Sequence, residues 1–414
     1  MKQKVLLFTI LTILTSTASF GQENKEKTTS NEPEKGKIYF SPLPVIASNP
    51  TFGVLYGLAA STSMYTGDPS NTRMSTSLGT LTYSTKKQLM FTFKSNVYMP
   101  GDKWVLLGDW RYFDTSQPTF GLGTGPQSKK LASNGIEYED GMFSKRIPDE
   151  QMMEFKYIRF HETVLKQVKE YLYAGVGYHL DLHQDINDNL LDLNDNPPVI
   201  TSHYAYSTEF GFDSNEYALS GLSTNVMYDS RDNAATPYTG RYALLTYRYN
   251  PTFLGSTEAS SSLWLEYRDY WSLSSKPQPS HMLAFWWYGN FQTSGHLPYL
   301  DLPALGWDQF GRSGRAYTQG RFRGENLMYS ELEYRYHLLG TKKNPNFMGG
   351  VVFANATTAS NKAANIEMLD YLNFGYGFGL RFMMNKTSRT NLTLDYAWGD
   401  YGAHGLFLNV NETF

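Results

Sequence analysis

The sequence predicts an all-β transmembrane protein, an antiparallel barrel of about 16 strands. Three observations support this class: an export signal at the start, many tyrosine, phenylalanine and glycine residues without any cysteine, and apolar residues that alternate with polar ones in the C-terminal third. In such a barrel one face of each strand meets lipid and the other a polar lumen, so average hydropathy does not reveal the membrane face.

The start of the chain has the pattern of a secretory signal peptide, predicted to cover residues 1–21. Lys2 and Lys4 precede an apolar run over 5–14, and small residues lead to a cleavage site before Gln22. This run of about ten residues is too short to span a bilayer as a helix. We therefore expect the mature protein to leave the cytoplasm.

Beyond the signal, composition divides the chain into two parts. Residues 22–36 are charged and polar without aromatic side chains, which predicts a disordered tether. Residues 37–414 are predicted to form the barrel, because they contain no apolar run of about 18 residues that would indicate a helical span. The absence of cysteine excludes disulfides and thiolate metal sites.

Overall composition indicates a compartment and excludes one class of partner. The net charge of −3 argues against nucleic acid binding. Aromatic residues make up 15% of an exported, cysteine-free chain, which is typical of barrels in the outer membrane of Gram-negative bacteria. We expect this location, with outer-membrane lipid and lipopolysaccharide around the protein.

The alternation is clearest near the C-terminus. Every even position from Leu372 to Phe382 is apolar or aromatic, whereas the odd positions are asparagine, glycine and arginine. The same period follows over 391–398 and 406–411. A period of two places successive side chains on opposite faces, so three consecutive segments each have one apolar face.

The same pattern, divided at turn residues, predicts fifteen strands over the whole chain. They are predicted near 52–65, 72–84, 88–99, 103–114, 151–165, 170–182, 218–230, 240–250, 257–273, 281–293, 327–339, 347–357, 369–384, 389–399 and 404–414. Single-chain bacterial barrels have even strand numbers. A sixteenth strand is therefore expected within either 134–146 or 203–213. The long connections near 115–150, 183–217 and 294–326 are predicted to face the outside.

Three segments resemble one known family. The stretch "YDSRDNAATPYTGRY" over 228–242 resembles the periplasmic turn of the BamA/TamA-like (bacterial surface antigen) outer-membrane assembly factors, and "RFRGENLMYSELEYRY" resembles their loop-six motif and the strand after it. The end, "TNLTLDYAWGDYGAHGLFLNVNETF", is similar to their last hairpin, with Leu408, Val410 and Phe414 as the C-terminal strand signal. The resemblance covers 37–414 and implies eight strands before the turn, three up to loop six and five after it.

The turn motif has two interpretations. Its residues are Asp229, Arg231, Asp232, Asn233, Pro237 and Gly240. Asp and Asn side chains bond their own backbone, proline fixes φ, and glycine supplies a conformation that other residues resist. A structural turn is the favoured interpretation, and a periplasmic docking element is the alternative.

The loop-six motif consists of Phe322, Arg323, Gly324 and Glu325. The resemblance implies that this loop folds into the lumen as a plug, where its arginine pairs with acidic groups of the wall. Guanidinium suits this role because its planar fork bonds carboxylates in two places. Because they alternate with the apolar residues of their strands, Glu331, Glu333 and Asp395 are expected on the inner wall and are the candidate partners. The alternative is a solvated surface loop.

The chain departs from the family pattern in three ways. The family usually carries periplasmic polypeptide-transport-associated (POTRA) domains before the barrel, and here a short polar segment stands there, so a member lacking them is expected. The family motif reads aliphatic-Arg-Gly-aromatic, but this chain has Phe322 and Glu325 at the outer positions. Asn355 stands where relatives tend to place an aspartate.

Neither a metal site nor an enzyme is predicted. His179, Asp181 and His183 share one strand face before an Asp- and Asn-rich segment, and such ligands suit metals. The segment nevertheless matches no defined calcium loop, so no metal or cofactor is expected. The eight histidines are scattered, and none belongs to a nucleophile motif.

The resemblance implies a function in the insertion, translocation or assembly of outer-membrane components. Protein substrates and periplasmic or lipoprotein partners would then be expected. It also implies a weak seam between the first strand, predicted at 52–65, and the last, at 405–414. The alternative function is a passive or lipid-handling pore without assembly activity.

Overall fold

Sixteen antiparallel strands form one sheet, and each is hydrogen-bonded to the next strand of the sheet along the chain. The computed structural model of the protein describes residues 34–49, 53–125, 137–139, 142–234, 236–274, 281–342, 344–385 and 389–414. The described residues contain 18 strands, of which all except β6 and β7 belong to this sheet: β1 Tyr39–Asn49, β2 Gly53–Met64, β3 Ser75–Ser84, β4 Leu89–Tyr98, β5 Trp104–Thr119, β6 Glu137–Glu139, β7 Met142–Phe143, β8 Gln151–Lys169, β9 Leu172–Asp188, β10 Tyr217–Asp229, β11 Gly240–Asn250, β12 Ser260–Ser272, β13 Met282–Gly295, β14 Asn326–Leu339, β15 Met348–Ala359, β16 Asn373–Asn385, β17 Thr390–Gly399 and β18 His404–Val410. The predicted all-β barrel is confirmed.

The sixteenth strand lies at neither predicted position. It is β1, at the N-terminal end of the barrel, and it pairs along its whole length with β2. Of the range 203–213, residues 203–210 lie in helix α1, Ser202–Phe210. The range 134–146 contains β6 and β7, which pair in a separate small sheet. The prediction failed because Pro42 and Pro44 interrupt the strand pattern of β1, and proline is tolerated in a strand only at a sheet edge or a bulge.

Alternation builds the two faces of the barrel. On β16 the side chains of Phe374, Tyr376 and Phe378 are 52, 59 and 55% exposed on the outside, whereas Asn373 and Arg381 are buried inside. Lipid would cover the outer row, and the inner row lines the lumen. The period-two prediction for this segment is therefore confirmed.

The connections differ in length at the two ends of the barrel. Long segments over 120–150, 189–216 and 296–325 join strands at one end, and the tight turn over 230–239 lies at the other. Eight strands of the main sheet precede that turn, three follow it before the segment 296–325, and five come after. This is the predicted arrangement.

Helix α1 belongs to the long connection between β9 and β10. Thr201 caps its first turn by accepting a hydrogen bond from the Tyr204 backbone N–H at 3.2 Å, and it ends at Gly211, whose φ is 72°. Over the described residues, the structure contains no helix with the length and apolarity needed to cross a membrane.

The first and last strands of the sheet meet at a seam. Strands β1 and β18 lie side by side, but among the described residues no backbone ladder joins them. The seam was predicted between 52–65 and 405–414. Its first member is instead β1, because the barrel begins one strand earlier than predicted.

The predicted signal peptide and most of the predicted tether lie outside the described residues. The tether is described only at its end. There Lys35 forms a parallel bridge with Tyr65, and the Gly36 N–H donates to the Tyr65 carbonyl at 2.8 Å. Residues 35–414 form one compact unit.

Candidate functional site in the barrel lumen

The long segment between β13 and β14, residues 296–325, is here called loop six. Its base, residues 297–305 and 320–325, is a small backbone hairpin in which the Leu305 N–H donates to the Phe322 carbonyl at 2.9 Å and the Gly324 N–H to the Pro303 carbonyl at 3.0 Å. Its tip, residues 308–319, extends from this hairpin. Base and tip have different partners.

On one side, the tip contacts side chains of β4 and β5. Arg111 on β5 donates to the Gln309 carbonyl at 2.7 Å, and Lys94 on β4 also donates to it. Farther along β5, the side-chain amide of Gln117 donates to the Gln319 carbonyl at 2.7 Å. These donors satisfy backbone carbonyls of the tip that would otherwise be buried without partners.

On the other side, the tip places Arg315 among three buried carboxylates of β14 and β17. Its guanidinium donates to Glu331 at 2.6 Å, to Asp395 at 2.8 Å and to Glu333. The side chains of these carboxylates are at most 1% exposed. Burial alone would lower the pKa of Arg315, but the three carboxylates raise it well above its usual value. The tip is therefore tied to the wall by a charged cluster.

Arg323, the arginine predicted to bind these carboxylates, lies elsewhere. It donates to the backbone carbonyls of Tyr299 and Leu300, both at 2.8 Å, and of Leu302 at 3.4 Å. Burial lowers the pKa of Arg323, since desolvation disfavours its charge more than nearby groups favour it, and no carboxylate among the described residues forms an ion pair with it. The predicted pairing is wrong.

Distance along the chain explains the difference between the two arginines. Arg323 lies three residues before β14, so it is held at the mouth of the barrel, whereas Glu333 lies seven residues inside that strand. At about 3.3 Å per residue, seven strand residues span more than 20 Å, beyond the reach of an arginine side chain. Arg315 is farther from the strand, and the loop can carry it down to the carboxylates.

The remaining motif residues support the base. Phe322 is buried, with its ring 5.0 Å from that of Tyr317. A Cβ on Gly324 would lie 2.1 Å from the Ser360 carbonyl oxygen, so only glycine fits there. The Glu325 carboxylate accepts hydrogen bonds from the Ser360 hydroxyl at 2.9 Å and the Lys362 N–H at 3.1 Å.

Asn355 contacts the tip of loop six. Its amide donates to the Arg315 carbonyl at 3.1 Å and to Glu331 at 3.3 Å. The amide nitrogen can donate to both of these oxygens, whereas an ionised carboxylate can only accept. Asparagine at this position therefore supplies a hydrogen bond to the loop backbone that an ionised aspartate could not donate.

The C-terminal residues turn into the lumen. Strand β18 ends at Val410, and Asn411, with φ of 69°, redirects the chain. Phe414 is consequently buried against Trp286, at 5.3 Å between ring centroids, and its carbonyl accepts from Arg335 at 3.2 Å. Leu408 and Val410 belong to the last strand as predicted from the sequence, but Phe414 does not.

Several lumenal residues were not singled out from the sequence. Arg312 of the tip donates to the Val410 carbonyl at 2.7 Å and to that of Glu412. Arg381 on β16 bonds Asp395 at 2.5 Å and the Glu412 carboxylate at 2.6 Å. Loop six, the wall and the C-terminal residues thus share one polar network.

The turn motif is explained by contacts at the opposite end of the barrel. Arg231 bonds the Asp229 carboxylate in two places, at 2.9 and 3.1 Å, and Arg73 approaches the same carboxylate at 3.1 Å. Asp232 accepts from the Tyr238 N–H at 2.9 Å.

Three further motif residues shape the turn. Asn233 accepts from the Thr236 N–H at 2.8 Å, and Pro237 is buried. Gly240 has φ of 99°, which favours glycine. Each of these contacts is of a kind found in a structural turn.

On the histidine-rich face of β9, His179 and Asp181 are engaged in hydrogen bonds. His179 bonds the Ser223 hydroxyl at 2.7 Å, and Asp181 pairs with Arg159 at 2.9 Å and Arg248 at 2.6 Å. His183 lies 3.3 Å from Asp301 of loop six. Among the described residues, no group of three such side chains is arranged to hold a metal ion.

The comparison with protein families decides the affiliation. Residues 65–414 match the model of the Omp85 superfamily domain. The chain belongs to the Omp85 superfamily. The resemblance predicted from the turn, the loop-six motif and the last hairpin is thereby confirmed.

Solved structures show the same fold for this Omp85 barrel. BamA from Haemophilus ducreyi lacking POTRA domains 1-3 superposes with a TM-score of 0.56 at 13% identity, covering 91% of this chain and 70% of that one. CdiB from Acinetobacter baumannii gives 0.51 at 13% identity, covering 90% of this chain and 59% of that one. No curated protein sequence matches significantly.

Proposed function

We propose that this Omp85 barrel lies in the outer membrane of a Gram-negative bacterium and acts in inserting, translocating or assembling outer-membrane components. Family membership supports this class of function. The observation that carries the proposal is the anchoring of loop six to both sides of the barrel, by Arg111 on β5 and by Glu331 and Asp395 on β14 and β17.

In this proposal loop six is a plug. Its tip lies between walls that are far apart in strand order, β5 and β17, and Arg312 also joins it to the C-terminal residues. A loop that a buried charged cluster holds across the lumen would obstruct conduction through it. The plug therefore supports a function at the strands of the barrel wall rather than passage of solutes through the lumen.

The seam between β1 and β18 is the proposed working surface. A strand edge without a ladder offers free backbone N–H and C=O groups that can pair with an incoming strand. Pro42 and Pro44 lack N–H groups, which weakens the pairing capacity of β1. Unfolded protein substrates are the proposed cargo, with periplasmic proteins or lipoproteins as partners.

The assembly proposal is tested by reconstitution. The purified barrel in vesicles should speed the insertion of an unfolded outer-membrane protein over that into empty vesicles. Because the natural chain has no cysteine, cysteine pairs can be introduced between β1, at positions 42–45, and β18, at positions 404–408. Oxidation should suppress insertion and reductant should restore it. A wild-type barrel that gives no acceleration would contradict the proposal.

A pore that conducts passively or handles lipid is the second candidate, and one observation favours it. A lumenal chamber of about 250 Å³ lies beside β8–β13, lined in part by His161, Arg248 and Trp264. Single-channel conductance in planar bilayers separates the two candidates. The plug predicts low conductance that rises in Arg315→Ala, whereas a pore predicts large, steady conductance that the substitution leaves unchanged.

A further inference from the structure

The outer face of β8 carries a carboxylate within an apolar belt. Glu162 lies on the outward row between Phe160 and Val164, whose side chains are 38 and 41% exposed. Its partner in the register of β5 is Gly108. Outward carboxylates in the hydrocarbon region of a barrel are costly, so they call for a specific explanation.

The position of Glu162 is close to the middle of the belt. Gly108 is the central residue of the outward row that runs along β5 from Trp104 to Tyr112, both exposed aromatic residues. On β8 itself the outward lysines stand on either side, Lys156 toward one end and Lys166 toward the other. Aromatic and basic side chains of this kind mark the two interfaces of a membrane protein.

Both flanking lysines are engaged elsewhere. Lys156 pairs with Asp185 at 2.6 Å, and the Lys166 ammonium lies 5.6 Å from the centre of the Trp104 ring. Among the described residues, the structure shows no lysine or arginine paired with Glu162. Over the part of the chain that the structure describes, the carboxylate therefore has no cationic partner.

The surroundings of Glu162 form a small polar notch. The indole N–H of Trp110 donates to its carboxylate at 2.6 Å. A Cβ on Gly108 would lie 2.7 Å from the Ser95 hydroxyl and 3.0 Å from the Glu162 carboxylate, so both groups converge on a position without a side chain. Gly108 is itself buried beneath these two groups, and the notch offers acceptors from two strands.

Chemistry restricts what can occupy this notch. Lipid acyl chains carry neither hydrogen-bond donors nor charge, so the occupant at this depth is polypeptide. A second copy of this chain does not fit, because the outward bases of the described strands, Lys156, Lys166 and Arg241, lie toward strand ends. Charge complementarity requires a base, since a desolvated carboxylate is stabilised best by a hydrogen-bonded cation.

We infer that the notch of Ser95, Gly108, Trp110 and Glu162 binds a transmembrane segment of a partner protein that presents a lysine or arginine at mid-membrane depth. Trp110 holds the carboxylate in place, and the absent side chain at Gly108 lets Ser95 and Glu162 approach each other, so that the incoming base meets two acceptors. The inference does not depend on assembly activity, because the contact lies on the outer wall of β5 and β8, away from loop six and the seam.

The test uses the full barrel in phospholipid vesicles with two synthetic transmembrane helices. One is apolar with a single central lysine, and the other has leucine there. Energy transfer from labelled peptide to labelled barrel measures association. The lysine peptide should bind wild type about tenfold more tightly than the leucine peptide, within the range of polar contacts in bilayers.

Three variants decide the interpretation. Glu162→Leu should abolish the preference for lysine, and Glu162→Gln, which keeps an acceptor for Trp110, should reduce it. Asp114→Leu, which removes an exposed outward carboxylate farther along β5 toward the mouth, should leave the preference intact. Heat-modified mobility on gels verifies that each variant is folded. Equal binding of both peptides to wild type, or a lysine preference that survives in Glu162→Leu, would overturn the inference.

Discussion

The tip and the base of loop six each depend on a buried arginine, but one arginine bonds the barrel wall and the other bonds the loop's own backbone. Arg315 at the tip bonds carboxylates of β14 and β17, so it joins the loop to the wall. Arg323 at the base bonds carbonyls of residues 299–302, so it joins the loop to itself. The arginine of the sequence motif therefore shapes the loop, and a different arginine anchors it.

The largest effect is expected from Arg315→Ala, which would leave Glu331, Glu333 and Asp395 buried with fewer positive partners. Removing one member of a buried charged cluster costs about 3–5 kcal/mol of unfolding free energy. Urea unfolding of the barrel in detergent would measure the loss, and bilayer conductance should rise in parallel. A variant as stable and as poorly conducting as wild type would show that the tip has no anchoring role.

A double-mutant cycle sharpens the comparison. Arg315→Ala combined with Glu331→Gln should destabilise less than the sum of the single changes, with a coupling of about 0.5–3 kcal/mol expected for residues in contact. Arg323→Ala combined with Glu331→Gln should be additive, since these two side chains have no common partner in the structure. Equal coupling in both cycles would erase the distinction between tip and base.

The fold was predictable where the two faces of a strand meet different surroundings. Phe374, Tyr376 and Phe378 repeat at every second residue and lie on the outer face, so the sequence alone defined that strand. β1 was missed because Pro42 and Pro44 interrupt the pattern, and only its place at the edge of the sheet makes them acceptable.

The site was predictable in part. The alternation along each strand correctly assigned Glu331, Glu333 and Asp395 to the inner wall, because successive side chains of a strand point to opposite faces. It could not rank the arginines of loop six, since an irregular loop has no period. Arg315 is set apart from Arg323 only by how deep the folded loop carries it.

Arg323→Ala should have a smaller effect than the change at the tip. It removes hydrogen bonds to the carbonyls of Tyr299 and Leu300. The expected loss of unfolding free energy is about 1–3 kcal/mol, the usual cost of leaving a buried polar group without its hydrogen-bond partner. Hydrogen exchange over 297–305 should quicken while conductance stays low, because Arg315 still holds the tip. Conductance that rises as much as in Arg315→Ala would instead assign the anchoring role to the base.

The smallest effect is expected from Glu325→Gln at the base. The carboxylate accepts from the Ser360 hydroxyl and the Lys362 N–H, and glutamine keeps an acceptor oxygen while losing the charge. Neutral acceptors form weaker bonds, so about 1 kcal/mol of unfolding free energy should be lost. Since neither partner belongs to the wall strands that Arg315 contacts, conductance should match wild type. A conductance increase with this variant would mean that the tip depends on the geometry of the base, and the two regions of loop six would then act as one unit.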